Sequence, residues 1–310
     1  MTHKCKVLIA IPVYNGGDLW ASSAASIKAC LEFFSCYDFE ICVIDSGSTD
    51  NSVSVSRSLT SNVVEINNND FNHGATRNMF LSLNPDFEFV IFLTQDSILD
   101  SKESLVEILK PFSNKDVSIV FGRQMPHSNA TPLAIHSRFF NYGDKSYIRR
   151  MSDKYVYGMK TVFCSNSFSA FRVSVFSELN GFPSNTILSE DMYLASKILL
   201  NGGALAYSSN ALVKHSHNYT LFQEFSRYFD IGVFHAQEPW IRQSFGGASG
   251  EGVKYALSEI KFLYDNCKIL IPRSIVLSML KFVGFKLGLK YKLIPKGLIK
   301  KISMHKGFWK

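Results

Sequence analysis

The 310-residue sequence has no run of eighteen apolar residues free of charge, so it offers no candidate for a helix that spans a bilayer. It also lacks the apolar segment and small-residue cleavage site of a secretory leader, because Met1-Thr2-His3-Lys4-Cys5-Lys6 leads straight into a strand-like run. None of the six cysteines form a C-x-x-C pair. Their scatter fits neither a zinc site nor a disulfide framework, which leaves reduced thiols in a cytosolic setting as the expectation. Acidic residues are missing altogether from residues 268–310, where ten lysines and Arg273 stand. That segment carries +11 of a net +7, leaving −4 for the rest of the chain. A mildly acidic body with a basic tail suits an anionic membrane surface or nucleic acid. No RNA-binding module pattern accompanies the charge, which argues against nucleic acid.

What is present is core-forming material. Apolar residues make up 46% of the chain and aromatics 14%, enough for one large α/β domain or two smaller ones and too much for disorder. Residues 89–93, Phe-Val-Ile-Phe-Leu, run into Thr94-Gln95-Asp96-Ser97. An unbroken apolar run ending in polar residues reads as a buried parallel strand that stops at a crevice, where open α/β sheets bind ligands. A carboxylate there can hold a hard divalent cation, although Asp and Ser are also ordinary strand-end turn residues. Two more buried strands are expected at residues 7–15 and 39–45, and a short one at 63–66. Helices are expected over residues 18–34, with Asp18 as cap, 75–83 and 102–112. Strand and helix alternate through residue 122, which predicts a doubly wound, mostly parallel, Rossmann-like sheet. Residues 123–160 read as a loop-rich excursion over the site. A half-buried strand follows at 161–172, a helix at 192–200 opened by Ser189-Glu190-Asp191, short strands at 205–207 and 211–213, and a long aromatic helix from 221.

Asp45, Asp96, Glu190-Asp191 and the pair His215/His217 thus fall at strand ends or helix starts. Pro12-Val13-Tyr14-Asn15, Val43-Ile44-Asp45-Ser46-Gly47-Ser48-Thr49-Asp50, Thr94-Gln95-Asp96 and Glu190-Asp191 resemble, in order, the motifs of family 2 glycosyltransferases with the GT-A fold. The resemblance covers roughly residues 5–240. Within that family, Phe71-Asn72-His73-Gly74-Ala75-Thr76-Arg77-Asn78 resembles the segment of bacterial rhamnosyltransferases that build surface polysaccharides such as O-antigen or capsule.

The resemblance implies an inverting enzyme that moves a sugar, L-rhamnose from dTDP-L-rhamnose, to a lipid-linked oligosaccharide. A UDP-sugar donor, or a silent nucleotide-sugar-binding protein, are the alternatives. The implied donor site comprises Pro12, Tyr14, Asn15, Asp45, Ser46, Gly74, Arg77, Thr94 and Gln95. In it Asp45 would accept from a pyrimidine N3–H, and Arg77 would donate to the base or a phosphate. The plainer account of Arg77 is an exposed helix residue in a surface ion pair. Asp96 would ligate Mg²⁺ or Mn²⁺ with His217, less surely His215, against the plainer account of a polar loop pair. Thr94 stands where the family motif has its first Asp, and a hydroxyl is a poor cation ligand. Asp191 is implied as the general base with Glu190 beside it, against the plainer account of acids that merely favour a helix start. Gln223 and Arg227-Tyr228 resemble a Gln-Arg-Trp signature of processive members. The spacing is one residue too long and Tyr replaces Trp, so a single transfer is expected.

The expected division is a glycosyltransferase domain over 1–240, with a nucleotide-sugar half at 1–122 and an acceptor half at 123–240, and a basic helical region at 241–310. Apolar residues with recurrent lysines in that last region suit a helix lying in a membrane interface on the inner face of the cytoplasmic membrane. Packing on the core or on a second subunit is the alternative.

Overall fold

Val7, Leu8, Ile9, Ala10 and Ile11 expose no surface, and neither do Val90, Ile91, Phe92 and Leu93. Strands covered on both faces need such continuous apolar runs, and these two lie side by side at the centre of one sheet. The computed structural model describes residues 4–32, 37–247 and 250–309. In order the elements are β1 (Cys5–Val13), α1 (Gly17–Leu31), β2 (Tyr37–Asp45), α2 (Ser52–Leu59), β3 (Val63–Glu65), α3 (His73–Leu83), β4 (Phe89–Leu93), β5 (Ile98–Leu99), α4 (Ser104–Glu107) and β6 (Val117–Met125). Then come α5 (Pro132–Asn141), β7 (Tyr147–Arg149), α6 (Lys154–Tyr157), β8 (Phe168–Arg172), α7 (Val173–Glu178), α8 (Glu190–Leu200), β9 (Ala204–Lys214) and α9 (Leu221–Gln237). The last four are α10 (Pro239–Phe245), α11 (Glu251–Asn266), α12 (Ile271–Leu289) and α13 (Lys296–Ile302).

The sheet order is β3-β2-β1-β4-β8-β6-β9-β5, with β7 also paired to β9. The first four strands are mutually parallel, as the alternation of strand and helix predicts. β8 then inserts antiparallel between β4 and β6. β6 and β9 are again parallel.

Several expected boundaries shift for identifiable reasons. Gly16, not Asp18, caps α1, and Asp18 sits in its first turn. The expected end of that helix near residue 34 lies outside the described residues, as does Cys36. The helix expected over 102–112 stops at Glu107, and a 3-10 turn follows over Lys110–Ser113, since Pro111 has no N–H to donate to an α-helical ladder. Residues 123–160 are more regular than expected. β6 continues to Met125 and α5 is a full helix, whose Thr131 side chain caps Ala134 N while Pro132 occupies the first turn. The strand in 161–172 begins only at Phe168 and is buried on both faces rather than one. The two short strands after residue 204 are one strand, β9, whose residues 209–211 bulge out of register with β6 between Gly122 and Arg123.

α12 packs on α9 through glycines. A Cβ on Gly288 would lie 2.0 Å from the Phe229 carbonyl oxygen, and one on Gly284 2.5 Å from that of Phe225. Among the described residues no helix is long and apolar enough to cross a membrane. The basic segment is docked through one face of α12. The opposite face is exposed, with Met279 and Phe282 each more than 60% exposed. Gly288→Val should cost about 3 kcal/mol by overpacking the helix crossing and lower the melting temperature by roughly 5 °C or more. A calorimetric melt indistinguishable from wild type would mean that α12 does not rest on α9 in solution.

Candidate functional site

The antiparallel pairing of β5 with β9 assembles the first cluster. Ile98 on β5 pairs with Lys214 at the end of β9, so Asp96, two residues earlier, meets His215, one residue later. Asp96 Oδ2 lies 3.4 Å from His215 Nε2 and 3.8 Å from His217 Nε2. One donor atom from each of the three lies within 4.8 Å of the others. Burial opposes ionisation of Asp96, but the imidazoles of His215 and His217 outweigh it and hold the carboxyl well below its usual range. His217 is pushed down to about 4 by burial and by its neighbour His215, so at neutral pH its nitrogen lone pair is free to ligate.

Gln124 sets the tautomer of His215. Its Nε2 donates to Ser165 Oγ at 2.9 Å, which turns Oε1 towards His215 Nδ1, also 2.9 Å away, while Arg138 Nη1 donates to the same Oε1. Since Oε1 can only accept, Nδ1 carries the hydrogen and Nε2 faces Asp96. With Nδ1 so committed, His215 turns Nε2 towards Asp96 Oδ2, and Nε2 of His217 lies beside the same oxygen. One carboxylate and two imidazoles therefore fit a divalent metal ion.

The second cluster hangs on β8. Leu93 pairs with Phe168, which sets the Asp96 turn beside residues 165–167, and Ser97 Oγ donates to the Ser167 carbonyl at 2.7 Å. Asn166 in that segment holds both acids at the start of α8. Its Nδ2 donates to Glu190 Oε1 at 3.0 Å, and its backbone N–H donates to Asp191 Oδ2 at 3.1 Å. Asp191 Oδ1 accepts from Met192 N at 2.7 Å. Ser189, just before the pair, has the left-handed φ of 61°, a strained value for a residue with a Cβ. Arg77 on α3 reaches Glu190 Oε1 at 3.1 Å, and both side chains are buried. Burial would raise Glu190, but Arg77, His73 and the hydrogen bond from Asn166 together outweigh it and keep the group below its usual range. Asp191 is pushed up to about 7, first by burial and then by the charge of Glu190.

The exits of β1, β2 and β4 are knitted together. Tyr14 N donates to Gln95 Oε1 at 2.7 Å, and Gln95 Nε2 returns a bond to the Tyr14 carbonyl at 3.0 Å. Asn15 N donates to Ser48 Oγ at 2.9 Å, and Thr49 N to Asn15 Oδ1 at 2.8 Å. Tyr14 and Asn15 are exposed and Pro12 is half-buried, so they can face a ligand; Ser46 is buried, with an unpartnered hydroxyl. Thr94 Oγ1 is within 2.9 Å of Ser97 Oγ, occupied in its own turn.

Three residues expected at the donor are committed to other contacts of the fold. Asp45 is fully buried, with Oδ1 accepting from Gly47 N and Ser48 N and Oδ2 from Ser48 Oγ, so it builds the turn and has no exposed oxygen for a base. A Cβ on Gly74 would lie 1.9 Å from the Pro183 carbonyl oxygen, so this glycine permits a close backbone approach. Arg77 lies under the acid pair, neither at the rim nor in a surface ion pair, because Glu190 neutralises it at a depth where an unpaired guanidinium would be costly.

A cleft of about 1660 Å³ joins the two clusters; Thr94, Asp96, His215, His217 and Asp191 all line it. Gln124 and Asn166, the residues that orient them, are absent from the sequence reading. The local signals were Gln124 close to the end of a buried run and Asn166 just ahead of one, too common to single out.

A family model described as Glycosyl transferase family 2 matches residues 8–179. The O-antigen chain rhamnosyltransferase RfbN of Salmonella typhimurium is 45% identical over 98% of this chain and 96% of its own. The O-antigen chain rhamnosyltransferase WbaN of Salmonella anatum is 48% identical over 87% and 86%. Among solved structures, a mannosyltransferase from Pyrobaculum calidifontis in complex with GDP-Man and Mn²⁺ is similar with a TM-score of 0.63 at 15% identity, over 94% of this chain and 89% of that one. Staphylococcus aureus TarS residues 1–349 with UDP-GlcNAc gives 0.51 at 15% identity, over 93% and 92%. The fold is thus of the GT-A type.

Proposed function

The chain belongs to glycosyl transferase family 2 and is a glycosyltransferase, and from that premise we propose that it transfers L-rhamnose from dTDP-L-rhamnose, with inversion, to a lipid-linked oligosaccharide in O-antigen synthesis. The single observation that carries this reading is the one cleft lined by both the Asp96–His215–His217 cluster and Asp191. Residues 1–122 supply the donor half and 123–240 the acceptor half.

Asp191 takes the proton of the acceptor hydroxyl. Its two backbone hydrogen bonds fix the direction of the carboxylate, and a pKa near 7 makes it a competent base at neutral pH. Glu190 supplies part of that elevation, and Arg77 keeps Glu190 ionised so that the elevation falls on Asp191. Asp96, His215 and His217 are the residues that would hold the cation. Two imidazoles among three ligands favour Mn²⁺ over Mg²⁺, which prefers an all-oxygen shell. When bound, the ion stabilises negative charge on the departing diphosphate. Tyr14, Asn15 and Pro12 line the place of the nucleoside, with Gln95 pinning the loop. The basic segment, free of acids, with an exposed apolar face on α12, supports a peripheral place on the inner face of the cytoplasmic membrane, where a lipid-linked acceptor would lie.

A thermal melt with dTDP, UDP or GDP, each with and without Mn²⁺, tests the donor. At about 100 times Kd a ligand adds roughly 2.7 kcal/mol. The expected result is a rise of several degrees with dTDP plus Mn²⁺, a smaller one without metal, and transfer of rhamnose in a follow-up mass-spectrometric assay. A larger rise with UDP would replace the donor, and no rise with any nucleotide would end the donor-site reading.

A further inference from the structure

The cleft is larger than a nucleotide sugar requires. Pockets for small ligands usually run to about 300–1,000 Å³, against about 1660 Å³ here. It also changes character along its length. At one end stand the acids and imidazoles just described. At the other its walls are Ile275, Met279, Phe282 and Val283 of α12, with Lys286 beside them. Those four apolar residues belong to a stripe completed by Val276 and Leu287, every member at least 39% exposed. The stripe follows helical spacing along α12 and lies opposite the residues buried against α9 and α11, Ser274, Leu277, Gly284 and Gly288. The cleft therefore opens at its far end onto a continuous apolar surface in a segment without acids. Arg227 also lines the cleft and makes no ion pair within 4 Å among the described residues, although Tyr219, Tyr228 and Glu224 lie near enough to favour its charge. Glu224, one turn earlier on α9, is paired with Lys281 at 3.7 Å.

An apolar wall, an unpaired guanidinium and a catalytic base, all along one cleft, match the parts of an amphiphile: hydrocarbon chain, phosphate and glycan. We propose that the far limb of the cleft binds the lipid–phosphate portion of the acceptor, with Arg227 on the phosphate and Met279, Phe282 and Val283 on the start of its hydrocarbon chain. This rests on the transferase reading above and adds to it a seat for the acceptor. Lipid specificity then resides in α9 and α12, far in sequence from the donor loops.

Binding is measured directly, in EDTA so that no metal presents diphosphates to the donor end. Isothermal titration compares farnesyl diphosphate with inorganic diphosphate. Wild-type protein should prefer the isoprenyl compound by at least about tenfold in Kd. Met279→Ser/Phe282→Ser, both at exposed positions, should abolish that preference. Arg227→Met should weaken both ligands by about tenfold. Equal affinity for the two compounds in the wild type, or a preference that survives the double substitution, overturns the proposal. So does a double variant that loses binding to anionic vesicles but keeps farnesyl diphosphate, because the stripe would then contact the bilayer and not the acceptor. The dTDP melt reports on the donor site independently. Its failure with farnesyl diphosphate still bound would end the transferase reading alone, and the reverse pattern would end only this one.

Discussion

Asp191→Asn lowers kcat about 10³-fold, leaves dTDP binding intact and stabilises the fold above neutral pH. The first effect follows from removing the base, since positioned general bases contribute typically 10²–10⁴. The third follows from the elevated pKa. In the unfolded chain the carboxyl titrates near 3.8, and in the folded protein near 7. The folded state thus retains a proton that the unfolded state releases. The neutral group's contribution is fully present below 3.8, is lost progressively as pH rises from 3.8 to 7, and stays lost above that. The full interval corresponds to about 4 kcal/mol. Asn keeps one acceptor for the Asn166 and Met192 N–H groups and misplaces the other, which offsets roughly 1–2 kcal/mol of the gain. A melt at pH 8 should therefore show the variant several degrees above wild type, and a melt at pH 4 no such gain. For the wild type kcat should fall about tenfold per pH unit below 7. Glu190→Gln should move that acid limb to lower pH, because the Glu190 charge is the second cause of the elevation after burial. An unmoved limb would assign the pH dependence to another group, and near-normal turnover by Asp191→Asn would remove Asp191 from its role.

The sequence carries the parallel half of the fold well because burial on both faces leaves a purely local trace, the unbroken runs at 7–11 and 89–93. The motif order at Asp45, Asp96 and Asp191 likewise marks strand ends and a helix start, and these fall where expected. Partners set by non-local pairing leave no such trace. Arg77 reads as a donor contact until the fold brings Glu190, distant in the chain, within 3.1 Å of it. Asn166 is one polar residue before a strand, and its hold on both acids appears only once β8 pairs with β4. The bulge in β9 and the antiparallel insertion of β8 are likewise consequences of strand partnership. The cue for α5, Thr131-Pro132, was local and readable as a cap followed by a first-turn proline. For α12 the apolar residues with interspersed lysines suited two environments at once, and the structure uses one face for packing while the other remains open.

Asp96→Ala should cost activity as much as loss of the base does, about 10³-fold, and should weaken Mn²⁺ binding, read by electron paramagnetic resonance, to the point where no site is detected below millimolar metal. Asp96 is the only carboxylate in the cluster, so its removal leaves two imidazoles, which supply no negative charge and hold a cation poorly. His215→Ala and His217→Ala each leave Asp96 and one nitrogen, and a loss of about 10–100-fold in Mn²⁺ affinity is expected for either. Chelation of the wild type should reproduce the Asp96→Ala rate, and added Mn²⁺ should restore it more fully than Mg²⁺, in keeping with two nitrogen ligands. Thr94→Val should change Mn²⁺ affinity far less than Asp96→Ala, because the Thr94 hydroxyl bonds Ser97 and supports Asp96 without supplying a charged ligand. A Thr94 variant that loses the metal while Asp96→Ala retains it would move the cation off the β5–β9 junction and onto the strand end of β4 alone. The pairing of Ile98 with Lys214 would then be an element of the sheet edge with no catalytic consequence.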